Sequence, residues 1–232
     1  TRFRNVTGVQ TCALPISVIR EDRAKHRAFA VRSGWLEPGM SAYFSSVDYM
    51  RARDWDQFLG AMNRVGAPSL NYVYADTQGN IGWTPSGLTP IRPNWDGLMP
   101  VPGDGRYEWA GFRHRDELPQ AYNPARGWAA TANEMNLPEG YPNREKKIGF
   151  EWTNPARYRR IAEVLESKRK ITLEDSMRLQ NDHVALPARR LTALLKGLPI
   201  QDDKAARAVK LFDNWNHELR ADSAAAALFE TW

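Results

Sequence analysis

The amino-acid sequence predicts an α+β fold in which a strand-rich part precedes a helical part. Between Asn71 and Asn133, short aromatic and β-branched runs alternate with Gly, Pro and Asn, a pattern typical of strands joined by turns. From Asn154 onward, apolar residues recur at helical spacing behind recognisable helix starts. We therefore divide the chain into a β-rich part with long loops, residues 17–153, and a helical part, residues 154–232.

The first 16 residues are excluded from this prediction. Residues 6–16 read VTGVQTCALPI, which is the translation of a widely used sequencing-library adapter, so we predict that residues 1–16 are not native. The alternative is a genuine N-terminal strand that carries Cys12, the only cysteine of the chain. Under the first interpretation the native part has neither a disulfide nor a thiol nucleophile. The closing SAAAALFETW is typical of a helix that continues further, so we expect truncation at both ends.

In the β-rich part we predict a strand, a helix and a hairpin, in that order. The strand covers residues 28–31 and is followed by a loop. The hairpin consists of strands at residues 72–75 and 81–83 around a turn at residues 76–80, which resembles a fragment of a calcium loop but is better interpreted as a hairpin turn. The helix is predicted by apolar residues at helical spacing, namely Trp55, Phe58, Leu59 and Met62.

The helical part contains four predicted helices. The first begins with Asn154 as N-cap and Pro155 in the first turn. In the second, Thr172 and Asp175 have the spacing of a capping box. The third begins near Pro187 and stops at the glycine that precedes Leu198. The fourth extends from about residue 203 to residue 219, because four apolar residues there are in phase: Val209, Phe212, Trp215 and Leu219.

Composition and motifs exclude several functions. The formal net charge of +5 falls to about +3 without Arg2 and Arg4 and forms no polybasic run, so no nucleic-acid partner is predicted. No apolar stretch approaches the roughly 20 residues of a membrane span. The four histidines lack ligand spacing, and neither HExxH, CxxC, GxSxG nor a phosphate-binding loop is present. We therefore predict no metal site and no cofactor for the chemistry.

The order of motifs between residues 71 and 133 resembles the middle of the catalytic β-chain of the penicillin acylase family. These motifs are NYVYADTQGNIGW, TPIRP, GLMPVPGDGRYEWAG and YNPARGWAATAN. The family belongs to the N-terminal-nucleophile hydrolases and includes penicillin, cephalosporin and acyl-homoserine-lactone acylases. The resemblance implies an αββα sandwich, of which this chain is an incomplete part that lacks the α-chain and the N-terminal part of the β-chain.

The same resemblance implies an activity and a location. The enzyme would cleave the acyl group from a linear, small-molecule amide, would mature by autoproteolysis, and would be periplasmic or secreted. Its nucleophile would be an N-terminal Ser that this chain does not contain, so we expect the chain by itself to be inactive. Which acyl group and which leaving group are accepted is not determined, because much of the pocket lies in missing segments.

Two residues match catalytic positions of the family. Asn133 matches the asparagine that ends a strand and donates to the oxyanion. Arg157 matches the arginine near the start of the next helix, which orients that asparagine and the surroundings of the nucleophile; Arg160 is the alternative match. Glu134 stands where the family often has a second asparagine.

Two further residues match the acyl pocket. Leu70 matches an apolar residue that lines it, and Ser46 falls where the pocket carries a tryptophan, which would open this edge to a longer acyl chain. The intact family member often holds a structural calcium. Only Glu145 falls near one of its ligands, so we predict no metal site in this chain.

Two other hypotheses remain open at this point. The chain could be a non-catalytic binding module with an aromatic groove for glycans, built from Trp83, Trp95 and Trp109. It could also come from an acylase homologue that has lost its nucleophile, and only the upstream coding sequence would separate that case from an active enzyme.

Overall fold

The structure, a computed structural model, describes residues 16–40, 42–168, 170–195 and 197–232, without the side chains of residues 42–44. The predicted non-native segment lies outside the described residues except for Ile16. The α+β class is confirmed. The strands are β1 (Ile16–Asp22), β2 (Arg27–Arg32), β3 (Asn71–Ala75), β4 (Ile81–Pro85) and β5 (Ala121–Tyr122). The helices are α1 (Ala42–Arg51), α2 (Trp55–Met62), α3 (Asn143–Lys146), α4 (Ala156–Glu166), α5 (Leu173–Gln180), α6 (Leu186–Leu195), α7 (Asp203–Val209) and α8 (Ala224–Thr231).

The chain forms two compact units. The first consists of residues 16–129 with Leu137–Glu151 and holds all five strands together with α1–α3. The second consists of Ala130–Asn136 with Trp152–Trp232 and holds α4–α8. The segment around Asn133 therefore belongs to the helical unit, although it precedes the predicted boundary at residue 153.

The first unit contains two antiparallel sheets. Strand β2 covers the predicted strand and pairs with β1, which the sequence analysis did not predict. In the second sheet, of order β3-β4-β5, Ala75 pairs with Ile81 across the predicted hairpin turn. Asp76 accepts the backbone N–H groups of Gln78 and Asn80, both at 2.9 Å, so its carboxylate closes the turn as a hairpin.

The core of the first unit lies between α2 and β3. Helix α2 begins after Asp54, whose Oδ1 accepts the N–H of Gln57 at 2.8 Å. Its buried face packs against Tyr74. Helix α1 was not predicted, because Ser, Asp and exposed apolar residues interrupt its helical period. Tyr49 of α1 meets Tyr72 of β3 edge to face, with ring centroids 5.4 Å apart, so α1 also packs on this sheet.

Helix α5 of the second unit begins as predicted. Thr172 is its N-cap and forms a reciprocal capping box with Asp175. A hydrogen bond from Lys168, at 2.6 Å, and the backbone N–H of Thr172 lower the pKa of Asp175 from 3.8 to about 2. Helix α6 ends at Leu195, close to Gly197, whose φ of +88° provides the predicted helix stop.

The prediction of one long helix from residue 203 to residue 219 is wrong. Helix α7 ends at Val209 and is followed by a single 3-10 turn, Lys210–Phe212. The next residues pair with the segment before α6 instead: the N–H of Ala185 donates to the carbonyl of His217 at 2.9 Å. His217 has a φ of +63°, which a continuous α-helix does not allow. Among the described residues, none of the helices has both the length and the apolar composition needed to cross a bilayer.

Candidate active site

The segment 132–134, here called the Asn133 turn, holds the predicted oxyanion residue. Asn133 has a φ of +64°, in the left-handed region that asparagine tolerates better than most residues. The N–H of Ala132 donates to Oε2 of Glu134 at 2.6 Å. The carbonyl of Asn133 accepts the backbone N–H and the hydroxyl of Thr153, at 2.9 and 2.7 Å. The expected strand before Asn133 is not formed, because these backbone groups bond to Glu134 and Thr153 rather than to a neighbouring strand.

Arg157 fixes the orientation of the Asn133 side chain. Its Nη2 donates to Oδ1 of Asn133 at 2.7 Å and to the carbonyl of Ala132 at 2.9 Å. A guanidinium has only donors, so the amide oxygen of Asn133 must face Arg157 and the Nδ2 group must point away. Asn133 is exposed, and no described residue accepts a hydrogen bond from its Nδ2. This N–H group is therefore available to an oxygen atom of a ligand.

The start of helix α4 places positive charge beside the side chain of Asn133. Arg157 is the second residue of α4, whose first turn contains no acidic residue. The N-terminus of a helix carries partial positive charge and unpaired N–H groups. Asn154 satisfies one of these groups by accepting the N–H of Ala156 at 2.9 Å, although Pro155 rather than Asn154 occupies the cap position. A group that becomes negative beside Asn133 is stabilised in this field.

Arg160, the alternative match, is engaged elsewhere. Its guanidinium forms a bidentate pair with Asp182, with nitrogen–oxygen distances of 3.0 and 2.6 Å, and contacts Glu163 at 3.2 Å. The hydrogen bonds with Asp182, and secondarily those with Glu163, raise the pKa of Arg160. Arg160 therefore links α4 to the segment before α6, and Arg157 is the arginine that contacts Asn133.

Two residues hold the Asn133 turn in a role that the sequence analysis did not predict, although it named Glu134 for its position. Glu134 is only 4% exposed, and its Oε1 is buried without a hydrogen-bond partner among the described residues. Thr153 lies in the loop before α4, and its hydroxyl donates a hydrogen bond to the carbonyl of Asn133. No pattern in the sequence marks the role of either residue, because a glutamate between Asn133 and Met135 and a threonine before Asn154 are both compatible with a solvated loop.

The two predicted pocket residues lie in the first unit. Leu70 is 49% exposed and directly precedes β3, where its N–H donates to Oγ of Ser86 at 3.1 Å. Ser46 is half-buried on α1. Tyr49, three positions after Ser46, and Tyr72, two positions after Leu70, are in ring contact between α1 and β3.

Two of the three tryptophans of the binding-module hypothesis are engaged in contacts within the protein. Trp83 is 6% exposed and donates its Nε1–H to Oδ1 of Asn71 at 2.9 Å. The face of Trp109 is covered by the guanidinium of Arg32, whose Cζ lies 4.3 Å from the ring centroid. Trp83 is therefore part of the core, and Trp109 is already stacked within the protein.

The described residues do not fit the structural calcium of the family. Glu145 lies exposed on the short helix α3. In the part of the chain that the structure describes, no group of three His, Cys, Asp or Glu residues is placed to bind a metal ion. A single exposed carboxylate does not supply the six to eight oxygen ligands that calcium requires.

Comparisons with known proteins place the chain in a family. The penicillin amidase family model matches residues 13–232. The chain is 32% identical over 198 residues to the acyl-homoserine lactone acylase QuiP of Pseudomonas putida, covering 79% of this chain and 24% of that protein. It is 27% identical over 208 residues to the penicillin G acylase of Escherichia coli, covering 86% of this chain and 24% of that protein. The chain thus spans about a quarter of the length of these curated relatives.

A solved structure shows the fold. The thermostable penicillin G acylase of Alcaligenes faecalis matches with a TM-score of 0.74 at 24% sequence identity, covering 93% of this chain and 40% of that one. The predicted relation to the N-terminal-nucleophile hydrolase fold is thereby confirmed. A match of the family model over nearly the whole chain, together with these relatives, leads to one conclusion: this chain belongs to the penicillin amidase family.

Proposed function

We propose that this chain supplies the oxyanion-binding part of an amidohydrolase that cleaves an acyl group from a linear amide. The observation that carries the proposal is the orientation of Asn133, whose Oδ1 is held by Arg157 at 2.7 Å while its Nδ2 faces away without a partner among the described residues. A donor that is fixed before the reaction stabilises a developing oxyanion without reorganising, which is the largest single term in many acyl transfers.

The nucleophile of the proposed mechanism is an N-terminal serine on a part of the protein outside this chain. Its own α-amine is the base, because a free amine titrates near pH 8 and can accept the hydroxyl proton. The hydroxyl oxygen attacks the amide carbon, and the carbonyl oxygen becomes an anion held by Nδ2–H of Asn133 and a backbone N–H. The leaving amine takes the proton, and water then hydrolyses the acyl-enzyme.

The names of the relatives support a substrate class. They point to amides of homoserine lactone and of penicillin, in which an acyl group is joined to the amine of a ring compound. We propose an amide of this type for the enzyme that contains this chain, with Leu70 and Ser46 lining its acyl pocket. We place that enzyme in the periplasm or outside the cell, as the family resemblance implies.

The test replaces Asn133 in the full-length enzyme. Asn133→Ala removes the oxyanion donor, so kcat for a chromogenic acyl amide should fall on the order of a hundredfold or more while KM changes little. The matched control is Asn63→Ala, which removes an exposed asparagine at the end of α2. Turnover by Asn133→Ala within about threefold of the control, too little for the loss of such a donor, would refute the proposed role.

A further inference from the structure

We propose that Glu134 is a positioning residue, whose Oε2 fixes the left-handed turn that aims the amide of Asn133. The inference rests on the proposed function, because it gives Glu134 a role in the same reaction. Glu134 does not contact substrate in this proposal; it acts through the backbone N–H of Ala132 and so through the direction of the next side chain.

The Asn133 turn needs such a fixture. A positive φ is disfavoured for residues with a Cβ atom and persists only where neighbouring contacts determine it. Three side chains form hydrogen bonds with this turn. Those of Arg157 and Thr153 belong to exposed residues, whereas Glu134 is only 4% exposed. Among the side-chain hydrogen bonds that the described residues make with this turn, the bond from Ala132 to Glu134 is therefore the most buried.

The length of the glutamate side chain decides this contact. Its Oε2 reaches back over two residues to the N–H of Ala132 at 2.6 Å, a short distance typical of a carboxylate acceptor. Its Oε1 is buried without a hydrogen-bond partner among the described residues, so the cost of removing this oxygen from water is not offset by a hydrogen bond. A buried unpaired oxygen is unfavourable, and residues kept at such a cost are typically found where geometry serves function.

Two substitutions separate the reach of Glu134 from its charge. Glu134→Gln keeps an oxygen acceptor at the same distance and removes the charge. Glu134→Asp keeps the charge but is one methylene shorter, so its oxygens no longer reach the N–H of Ala132. If position and not charge is the role of Glu134, Glu134→Gln retains function and Glu134→Asp loses it.

The experiment measures turnover of an acyl amide by the full-length enzyme. We expect kcat of Glu134→Asp to fall on the order of tenfold to a hundredfold with KM nearly unchanged, because a misplacement of about 1 Å has effects of this size. Glu134→Gln should stay close to wild type. The matched controls are Glu139→Asp and Glu139→Gln, at an exposed glutamate five residues further on.

Other outcomes overturn the proposal. Equal losses in both variants of Glu134 would assign the effect to charge, unchanged kcat in both would remove any role, and a change confined to KM would place Glu134 in binding. Should Glu134→Asp fail to fold, Glu134→Gln still decides: lost turnover overturns the proposal, and so does retained turnover with fast hydrogen exchange at the amide of Ala132, whereas retained turnover with slow exchange there supports the acceptor oxygen.

A second measurement does not depend on activity. Hydrogen exchange at the amide of Ala132, followed by NMR in the 232-residue chain, should be slow in wild type and Glu134→Gln and fast in Glu134→Asp. If the wild-type enzyme cleaves no acyl amide but this exchange pattern is observed, the proposed function is wrong, whereas the structural role of Glu134 in fixing the turn is supported. If exchange at Ala132 is equally fast in all three, the proposal for Glu134 fails even in an active enzyme.

Discussion

The amide of Asn133 has one accepting and one donating end, and Arg157 determines which end is left for a ligand. Without the guanidinium, rotation about the last side-chain bond would exchange the two ends at little cost, because this torsion is broad and roughly two-fold. Half of the rotamers would then present an oxygen to a developing oxyanion. The proposed chemistry therefore depends on two residues, one that donates and one that orients.

At this scale we predict the effect of Arg157→Ala. The substitution removes both hydrogen bonds of Nη2, to Asn133 and to Ala132, so kcat of the full-length enzyme should fall between about tenfold and a hundredfold through misorientation of the donor. Arg159→Ala, which removes an exposed arginine two residues further along α4, is the control and should leave kcat unchanged. Steady-state kinetics on an acyl amide checks both, and equal kinetics for the two variants would contradict the role of Arg157.

The pairing of Asn133 with Arg157 was predicted from the resemblance, whereas the holders of the turn were not. Motif order assigns a residue to a family position, and the resemblance assigned both partners of this pair in that way. Glu134 and Thr153 act through burial and through the local backbone, and neither property can be read from residue type. Glu134 in particular would be assigned to the surface from its charge alone.

Helix α2 and strand β4 meet at a glycine that leaves room for an aromatic ring. A Cβ atom on Gly82 would lie 2.4 Å from Cζ3 of Trp55, and two further ring atoms would lie within 3 Å. The ring of Trp55 also stacks on Tyr122, the residue that pairs with Gly82, at a centroid distance of 5.1 Å. The absence of a side chain at Gly82 therefore lets α2 rest against the sheet.

At the scale of elements we predict that Gly82→Ala destabilises the first unit. The new methyl group must displace the indole of Trp55, which should lower the free energy of unfolding by about 1–3 kcal/mol. Gly60→Ala in α2 is the control: no atom lies within 4 Å of its added Cβ, so it should be neutral or stabilising by up to about 1 kcal/mol. Thermal unfolding of the 232-residue chain, followed by tryptophan fluorescence, compares them, and an unfolding midpoint of Gly82→Ala at or above that of Gly60→Ala would contradict this packing.

Elements were predictable where a local signal defined both ends. The turn of the hairpin β3-β4 contains Asp76 and Gly79, which are residue types that favour turns, and α5 begins with a capping box. The long fourth helix failed because its apolar period continues past the point where the chain turns. The pairing of residue 185 with His217 is a contact between distant residues, and it overrides the helical period.

As a whole, the molecule leaves much apolar surface uncovered. The hairpin of β1 and β2 exposes Val18, Ile19 and Val31, and it pairs with no further strand among the described residues. A two-stranded sheet is marginally stable by itself, and apolar surface of this kind marks a region that contacts other protein. Together with the span of about a quarter of the curated relatives, this supports our proposal that further parts of the enzyme complete the site.

At the scale of the whole molecule we predict that the purified 232-residue chain is inactive. In the proposed mechanism it supplies the oxyanion donor Asn133 but not the N-terminal serine, and without a nucleophile this donor has no intermediate to stabilise. Assays with phenylacetyl and long-chain acyl amides should show no hydrolysis above background, whereas the full-length enzyme should hydrolyse at least one of them. Hydrolysis by the purified chain, abolished in its Asn133→Ala variant, would show that the nucleophile lies within these residues.

The sequence by itself determined the class of fold, the hairpin, the capped helices and, through the order of its motifs, the family and the pair Asn133 and Arg157. These features depend on local signals or on motif order, and both are written along the chain. Tertiary structure alone decided that the Asn133 turn joins the helical unit, that Arg157 and not Arg160 contacts Asn133, and that Glu134 is buried beneath it. These outcomes depend on which distant groups satisfy each other's hydrogen bonds and charges, and that is fixed only when the chain is folded.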